Sequence, residues 1–247
     1  MKSDGLTSSH FLLEIGLKVD EVASFDEYPF SLPVVRHFRE NTLSLHPKLT
    51  FFVGENGSGK STLLEAIAIA WGLNPEGGTR NFGFSTRNSH STLYQYLRMA
   101  RGYRRAKTDF FLRAESFYNV ASAIDGYGVA DSYGSRSLHE QSHGESFFAL
   151  VQNRFTANGF YILDEPEAAL SPVRQLALLA RLHELLNQGS QFIIATHSPI
   201  LMAYPDAVIY QIDENGVAAT AYEATEHYLV TQAFLNDPKR QIERVLE

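Results

Sequence analysis

Short apolar runs alternate with longer amphipathic stretches along most of this chain. Five of these runs have the aromatic and β-branched content of strands: FLLEIGLKV (11–19), LTFFV (49–53), DFFLRA (109–114), GFYIL (159–163) and QFIIA (191–195). Near the end, AVIYQI and VAATA predict two further short strands before a polar helical tail. Strands that are apolar almost throughout are typical of a sheet covered on both faces.

Helical spacing of apolar residues fills several of the intervals. STLLEAIAIAW (61–71) predicts a largely buried helix, and TLYQYLRMARGYRRA (92–106) also has helical periodicity. Another helix is predicted with Ser171 as its N-cap, Pro172 in its first position and Gly189 at its exit. Strands that alternate with helices predict an α/β fold with a mainly parallel central sheet.

The composition is that of an ordinary globular protein. Of 247 residues, 44% are hydrophobic and 20% charged, and the formal net charge of -7 argues against a polyanion binder. Cysteine is absent, which excludes disulfides and cysteine-based metal sites and suits a cytoplasmic protein. No apolar run approaches the ~18 residues of a membrane-spanning helix, and the N-terminus lacks the apolar core of a signal peptide.

The loop after LTFFV carries the clearest chemistry. GENGSGKS (54–61) matches the pattern G-x-x-x-x-G-K-[ST] in full, between a predicted strand and a predicted helix. Its glycines let backbone N–H groups point at phosphate oxygens, and the helix N-terminus adds positive charge. Lys60 would meet the β- and γ-phosphates, Ser61 would bind Mg²⁺ and Thr62 would reach the α-phosphate. The predicted ATP-binding residues of this loop are Gly54, Glu55, Asn56, Gly57, Ser58, Gly59, Lys60, Ser61 and Thr62.

Two other predicted strands end in polar residues that fit this loop. FYILDE places Asp164 and Glu165 at the end of one strand, and IIATHS places His197 after the next. Because ligands bind at the carboxyl ends of parallel strands, we expect these side chains to face the phosphate loop. Asp164 would hold Mg²⁺, Glu165 would be the catalytic base, and His197 would contact the γ-phosphate or the attacking water. The alternative for Asp164 and Glu165 is a solvated strand end, and the alternative for His197 is a capping or packing role.

In that order, GENGSGKS, SHGES (142–146), YILDEPEAALSP and IIATHS resemble the motifs of the ATP-binding-cassette class of ATPases. The resemblance spans roughly residues 43–200 and is greatest to the soluble branch, which includes structural-maintenance-of-chromosomes proteins and recombination-repair ATPases. It implies a P-loop fold with an N-terminal antiparallel β portion. It also implies a single domain, residues 1–247, into which a small helical subdomain, residues 74–158, is inserted.

The resemblance assigns SHGES to the signature loop of the class, usually written LSGGQ. In a head-to-tail homodimer, Ser142 and Gly144 would contact the γ-phosphate bound by the other subunit, helped by the helix N-terminus that follows. His143 and Glu145 depart from the usual pattern. The residues alone also fit a helix start, because Ser142 and Glu145 have the spacing of a capping box. Both interpretations stay open at this point.

Three more positions are inferred from the class. Glu115, in DFFLRAES, stands where the class has a glutamine near the metal, and a plain surface carboxylate is its alternative explanation. Tyr28 and Phe38, upstream of the phosphate loop, are candidates for stacking on adenine.

A cluster of basic residues indicates a possible partner. Arg98, Arg101 and Arg105 would share one face of the predicted helix 92–106, where tyrosines interleave, and that face would track a DNA or RNA backbone. The alternative is a solvated helix face, or ion pairs with acidic residues, which the net charge favours.

The sequence therefore predicts a cytoplasmic, Mg²⁺-dependent ATP hydrolase that forms a homodimer on binding ATP. The 82 positions from Lys60 to Ser142 leave no room for a long coiled-coil arm, and 50 residues follow His197, so we expect a bare ATPase module. Its cycle would serve nucleic-acid repair or defence. The alternatives are the energy-coupling subunit of a membrane transporter and a nucleotide-gated regulatory module.

Overall fold

Two β-sheets form the framework of the protein. A computed structural model describes residues 10–75, 77–79, 90–113 and 143–246. The smaller sheet contains β1 (Leu12–Leu17), β2 (Leu43–Ser44) and β4 (Leu97–Arg101). Its strand order is β2-β1-β4 and both pairings are antiparallel. This confirms the antiparallel β portion predicted from the sequence.

The larger sheet carries the strands that end in polar residues. Its strands are β3 (Leu49–Gly54), β5 (Thr108–Arg113), β6 (Gly159–Asp164), β7 (Gln191–Ala195), β8 (Val208–Asp213) and β9 (Gly216–Ala219). Their order is β5-β6-β7-β3-β8-β9, and every pairing is parallel except that of β8 with β9. The mainly parallel central sheet is therefore confirmed.

The described ranges contain eight α-helices. Their bounds are α1 Pro33–His37, α2 Lys60–Trp71, α3 Leu93–Tyr96, α4 His143–Arg154, α5 Pro172–Asn187, α6 Pro199–Met202, α7 Glu226–Asn236 and α8 Pro238–Leu246. The start of α5 is as predicted, since Pro172 is its first residue and Ser171 Oγ accepts a hydrogen bond from the Arg174 N–H at 3.4 Å. Within the described ranges, no helix is long and apolar enough to cross a bilayer.

The strands divide the core into two layers because successive side chains point to opposite faces of a sheet. Phe51 on β3 packs into a cluster that includes Leu178 and Leu182 of α5. Its neighbour Phe52 packs into the other cluster, with Leu64 of α2 and residues of β1. This two-sided burial explains why the strands read as continuous apolar runs.

Gln191, at the start of β7, ties the two sheets together. Its Oε1 accepts hydrogen bonds from the backbone N–H groups of Phe11 and Leu12 at 2.9 and 3.0 Å. Its Nε2 donates to the carbonyl oxygens of Leu12 and His46 at 2.8 and 3.0 Å. The side chain is buried, so these four bonds satisfy a polar group where water has no access.

The predicted helix over residues 92–106 is wrong. Only Leu93–Tyr96 is helical, and Leu97–Arg101 forms β4, which pairs with β1. Buried Leu97, exposed Arg98 and partly buried Met99 follow the two-residue period of a strand. Pairing with a distant strand therefore overrides the local helical periodicity.

This correction removes the basic helix face. Arg98 and Arg101 lie three positions apart in a strand, so they point to opposite sides of it. Arg101 Nη2 donates to the carbonyl oxygen of Ala70 at 2.7 Å, and its guanidinium lies 4.5 Å from the centre of the Trp71 ring. Arg105 lies beyond the end of β4, exposed. The three arginines do not form one surface for a nucleic-acid backbone.

The inserted subdomain at residues 74–158 stays a prediction. Much of it, including residues 80–89 and 114–142, lies outside the described residues. The part described after this gap begins with α4, whose Phe147, Leu150 and Val151 pack into the same cluster as α5.

Candidate active site

The phosphate-type loop connects β3 to α2. Gly54 has a φ of 147°, and a Cβ at this position would lie 2.3 Å from the carbonyl oxygen of Ile212. Gly59 precedes α2 with a φ of 97°, and its Cβ would lie 2.7 Å from Val34 Cγ1. Both positions therefore need glycine for conformation and for space. Between them, Glu55 and Asn56 are exposed, Ser58 is buried, and the first turn of α2 follows.

Lys60 is the first residue of α2, and its side chain is only 4% exposed. Its Nζ donates to the carbonyl oxygens of Gly54 and Glu55, each at 2.8 Å, so the chain curls back across the loop. Burial lowers the pKa of Lys60, while the carboxylates of Glu165 and Asp164 act in the opposite direction. A partly desolvated cation thus lies at the centre of the loop.

Ser61 and Asp164 join the loop to β6. Ser61 Oγ donates to Asp164 Oδ1 at 3.0 Å, and the Asp164 side chain is 3% exposed. The other carboxylate oxygen, Oδ2, lies 3.5 Å from Nε of Arg113, which is level with Asp164 on the adjacent strand β5. Arg113 Nη1 also donates to Glu65 Oε2 at 3.0 Å. Arg113 therefore holds both the β6 carboxylate and helix α2.

Glu165 follows β6 in an uncommon backbone conformation. Its φ of 51° and ψ of 52° lie in the left-handed region, which costs a non-glycine residue about 1 kcal/mol or more. Its backbone N–H donates to the carbonyl oxygen of Ala195 at 2.9 Å. Its Oε1 lies 3.5 Å from Nε2 of His197. The turn thus aims the carboxylate at the histidine that follows β7.

Glu167, a residue that the sequence motifs did not single out, fixes the backbone of His197. The His197 backbone N–H donates to Glu167 Oε1 at 2.5 Å. Burial raises the pKa of Glu167, whereas burial and the nearby charge of Lys60 lower the pKa of His197. Glu167 is the third acidic residue of the run DEPE (164–167), so a signal for it was present in the sequence. The pattern could not predict that its carboxylate would accept a hydrogen bond from the His197 N–H.

A cleft of about 670 Å³ opens beside Glu165 and His197. The loop, β6 and β7 contribute Glu55, Asn56, Glu165 and His197 to its lining, and α7 contributes Glu226, His227, Val230 and Thr231. His227 Nε2 lies 3.0 Å from His197 Nδ1. No sequence motif marks His227, because it reaches the cleft only through the docking of α7.

Three predicted positions are not placed beside this cleft. Ser142 and Glu115 lie outside the described residues. Gly144 is in the first turn of α4, where a Cβ would lie 2.7 Å from the carbonyl oxygen of Ala169. Next to it, Glu145 Oε1 lies 3.2 Å from Arg174 Nη2 of α5. The glutamate of SHGES therefore turns toward a cation of its own chain.

The two candidates for adenine stacking differ in exposure. Phe38 is 2% exposed and belongs to the core cluster beneath α2, so its ring has no face free for a base and this prediction is wrong. Tyr28 is 65% exposed.

Two family descriptions match the chain. Residues 34–121 match "AAA domain", and residues 126–203 match "AAA domain, putative AbiEii toxin, Type IV TA system". The first range contains the phosphate loop, and the second contains SHGES, Asp164, Glu165 and His197.

Curated relatives are similar at moderate identity. The chain is 27% identical over 218 residues to the cobalt import ATP-binding protein CbiO of Salmonella typhimurium, covering 78% of this chain and 80% of that protein. It is 26% identical over 234 residues to the pyoverdine export ATP-binding/permease protein PvdT of Pseudomonas entomophila. That match covers 86% of this chain but 35% of PvdT, so the chain spans about a third of that relative. A stretch of 32 residues is 59% identical to the DNA replication and repair protein RecF of Colwellia psychrerythraea, covering 13% of this chain and 8% of RecF.

Among solved structures, the fold is similar to that of the SmcHead bound to the C-winged helix domain of ScpA. The TM-score is 0.50 at 12% identity, and the match covers 86% of this chain and 99% of that chain. Both family matches describe AAA domains, and the relatives named above include ATP-binding proteins of transporters. The chain is therefore similar to P-loop ATPases of the ATP-binding-cassette type.

Proposed function

We propose that this chain is an ATP-driven switch that forms a head-to-tail homodimer on binding ATP and separates after hydrolysis. The observation that carries the proposal is the 3.0 Å contact between Ser61 Oγ and Asp164 Oδ1. It joins the loop that would grip the phosphates to the strand end that would hold the metal, with Glu165 and His197 beside it.

The loop residues would bind ATP in complementary ways. The positive-φ glycines let the backbone N–H groups converge, and α2 directs its N-terminus to the same place, which suits a triphosphate. Lys60 Nζ, now bonded to two loop carbonyls, would exchange these for β- and γ-phosphate oxygens. Thr62, partly buried in the first turn of α2, would contact the α-phosphate.

The residues present fit Mg²⁺. The Ser61 hydroxyl and the Asp164 carboxylate are hard oxygen donors that already lie together, and Mg²⁺ prefers one or two such protein ligands with phosphate oxygens. When bound, the metal would neutralise charge on the β- and γ-phosphates. Arg113 would keep Asp164 in place from the opposite side. Glu115 is proposed at this metal only by analogy with the class.

Glu165 and His197 would carry out the hydrolytic step. Glu165 orients a water and takes its proton as the water oxygen attacks the γ-phosphorus. The bond from that phosphorus to the β,γ-bridging oxygen breaks, and ADP leaves with the electron pair. His197, whose pKa is lowered by burial, would donate a hydrogen bond from its neutral ring to the γ-phosphate.

A second subunit would complete the site. The cleft is lined by Glu55, Asn56 and α7 as well as by Glu165 and His197. On the head-to-tail model, Ser142 of the partner subunit and Gly144 of the partner subunit would approach the γ-phosphate at this cleft. Within one chain, Gly144 lies against Ala169, and the Glu145 carboxylate pairs with Arg174, which would lessen its repulsion of a nearby polyphosphate.

The process that the cycle serves is proposed to be nucleic-acid repair or defence. Support comes from the SMC-head fold, the short match to RecF and the family description that refers to a toxin–antitoxin system. Energy coupling to a membrane transporter is the second candidate, since the match to a cobalt import ATP-binding protein covers most of both chains. The arginines of β4 do not add support for nucleic-acid repair or defence, because they do not share one surface.

The experiment compares ATP turnover and molecular mass under matched conditions. Hydrolysis is measured without DNA, with single-stranded DNA and with duplex DNA, each at low and high salt, and mass is measured by light scattering with and without ATP. We expect a dimer with ATP and a DNA-stimulated rate that salt suppresses. A chain that stays monomeric with ATP overturns the homodimer. If DNA leaves the rate unchanged and a membrane protein copurifies with the chain, energy coupling to a transporter replaces nucleic-acid repair or defence as the proposed process.

A further inference from the structure

Helix α7 reaches the candidate active site from the C-terminal part of the chain. Its first turn is fixed by Thr225, whose buried Oγ1 accepts from the Tyr228 N–H at 3.4 Å and donates to the carbonyl oxygen of Tyr222 at 2.7 Å. This cap places His227 at the cleft, next to the loop residue Glu55. The helix therefore contributes a second histidine to a site otherwise built from β3, β6 and β7.

Three side chains form a line from the cleft into α7. Glu165 Oε1 lies 3.5 Å from His197 Nε2, and His197 Nδ1 lies 3.0 Å from His227 Nε2. The two imidazole rings are 5.1 Å apart between centroids and inclined at 56°. At 3.0 Å, one of the facing nitrogens must donate and the other must accept.

Burial favours the neutral form of both rings. Burial lowers the pKa of His197, and Lys60 lowers it further, against an opposing effect of Glu165. Burial also lowers the pKa of His227, and Lys60 adds to this, while Glu226 and Glu55 oppose it. Each neutral ring carries one proton, so two arrangements are available to the pair.

Electrostatics separates the two arrangements. If His197 donates from Nδ1, its Nε2 lone pair faces the Glu165 carboxylate, and the ring has no proton to offer a phosphate. If His227 donates from Nε2, His197 accepts at Nδ1 and its Nε2 carries the proton, 3.5 Å from Glu165 Oε1. Among the described residues, His227 Nδ1 has no hydrogen-bond partner. A proton on Nδ1 would therefore gain no hydrogen bond, whereas a proton on Nε2 can be donated to His197.

We propose that His227 is a positioning residue for hydrolysis, because its Nε2–H, donated to His197 Nδ1, keeps the proton of His197 on Nε2. This inference rests on the proposed function, in which that proton meets the γ-phosphate. It also makes the docking of α7 a condition for full activity, so a partner that displaces α7 would slow hydrolysis without touching the phosphate loop.

The test measures the tautomer and the kinetics separately. Two-bond ¹H–¹⁵N correlation spectra of the full chain locate the imidazole protons, and the His197→Gln spectrum assigns His197 among the nine histidines. His227→Leu keeps volume without a donor, whereas His227→Gln keeps an amide N–H near the position of Nε2 and serves as the matched rescue variant. Thermal unfolding shows whether both variants are equally folded.

We expect His197 to carry its proton on Nε2 in the wild type and in His227→Gln, and to show both tautomers in His227→Leu. The kcat of His227→Leu falls about tenfold, the value expected when a hydrogen bond of this kind is lost, with a nearly unchanged KM for ATP. His227→Gln regains most of the rate. An Nδ1 proton on wild-type His197 overturns the inference, as does a His227→Leu variant with unaltered tautomer and rate. If the wild type does not hydrolyse ATP, the proposed function fails, whereas the spectrum still decides the tautomer.

Discussion

Ser61 Oγ lies 3.0 Å from Asp164 Oδ1, although 103 positions separate the two residues in the chain. The contact exists because β3 and β6 are parallel strands of one sheet, both adjacent to β7, so the loop after β3 and the end of β6 share an edge.

Asp164→Asn should reduce Mg²⁺-dependent ATP hydrolysis by roughly 100-fold, since a metal ligand contributes several kcal/mol to charge stabilisation. The rate is measured across a Mg²⁺ titration. Asp109→Asn is the matched control, because Asp109 lies at the opposite end of the adjacent strand, where its carboxylate accepts from Trp71 Nε1. A variant at Asp164 with the wild-type Mg²⁺ dependence would remove this residue from the metal site.

Glu165→Gln should lower kcat by roughly 10²–10⁴-fold, the range for loss of a general base, and leave an ATP-bound dimer that persists. Glutamine preserves size and hydrogen bonding, so binding is retained while proton transfer is lost. Single-turnover kinetics and light scattering measure the two effects. The control is Glu184→Gln, an exposed residue of α5 that pairs with Arg181. Wild-type turnover in the Glu165 variant would exclude it as the base.

Lys60→Ala should weaken ATP binding by roughly ten- to a hundredfold, because charged hydrogen bonds to the phosphates are lost. Calorimetric titration with ATP measures the Kd. Lys48→Ala, at an exposed position just before β3, should bind ATP like the wild type. Equal affinities for the two variants would contradict the role of Lys60.

Gln191→Leu should lower the free energy of unfolding by about 3–5 kcal/mol, since buried backbone groups at the junction of the sheets lose their partners. The affected groups are the N–H groups of Phe11 and Leu12 and the carbonyl oxygens of Leu12 and His46. Urea unfolding measures the change, with exposed Gln188→Leu as the control. A loss below about 1 kcal/mol would mean that the junction contributes little.

Glu167→Gln should change how stability depends on pH. Burial raises the pKa of Glu167 in the folded state, so ionisation costs more when folded than when unfolded. Wild-type stability contributed by the protonated form is therefore present at low pH and lost as pH rises through the folded pKa. The glutamine variant lacks this loss, and its Tm relative to the wild type should rise from about pH 4 to pH 8. A relative Tm that falls over this interval would reverse the assignment.

The sequence was sufficient for seven of the described strands (β1, β3 and β5 to β9), for the buried helix α2 and for the capped start of α5. It also predicted a glycine-rich loop between β3 and α2. These features depend on local periodicity, on glycine and proline, and on a motif whose context is the neighbouring strand and helix. Order along the chain was enough to place Asp164, Glu165 and His197 at one edge, because parallel strands all end on the same side.

Other features were decided by contacts between distant segments. Residues 97–101 have helical periodicity but form a strand because β1 pairs with them. Phe38 is an aromatic residue upstream of the loop in sequence, but its ring is buried in the core. His227, Glu167 and Arg113 reach the site only because α7, the turn after β6 and strand β5 pack there. The sequence by itself determined which local elements form and what chemistry they carry. Only the tertiary structure decided which side chains meet. Burial and strand pairing bring together residues that are far apart in the chain, and their separation in sequence does not give their distance in space.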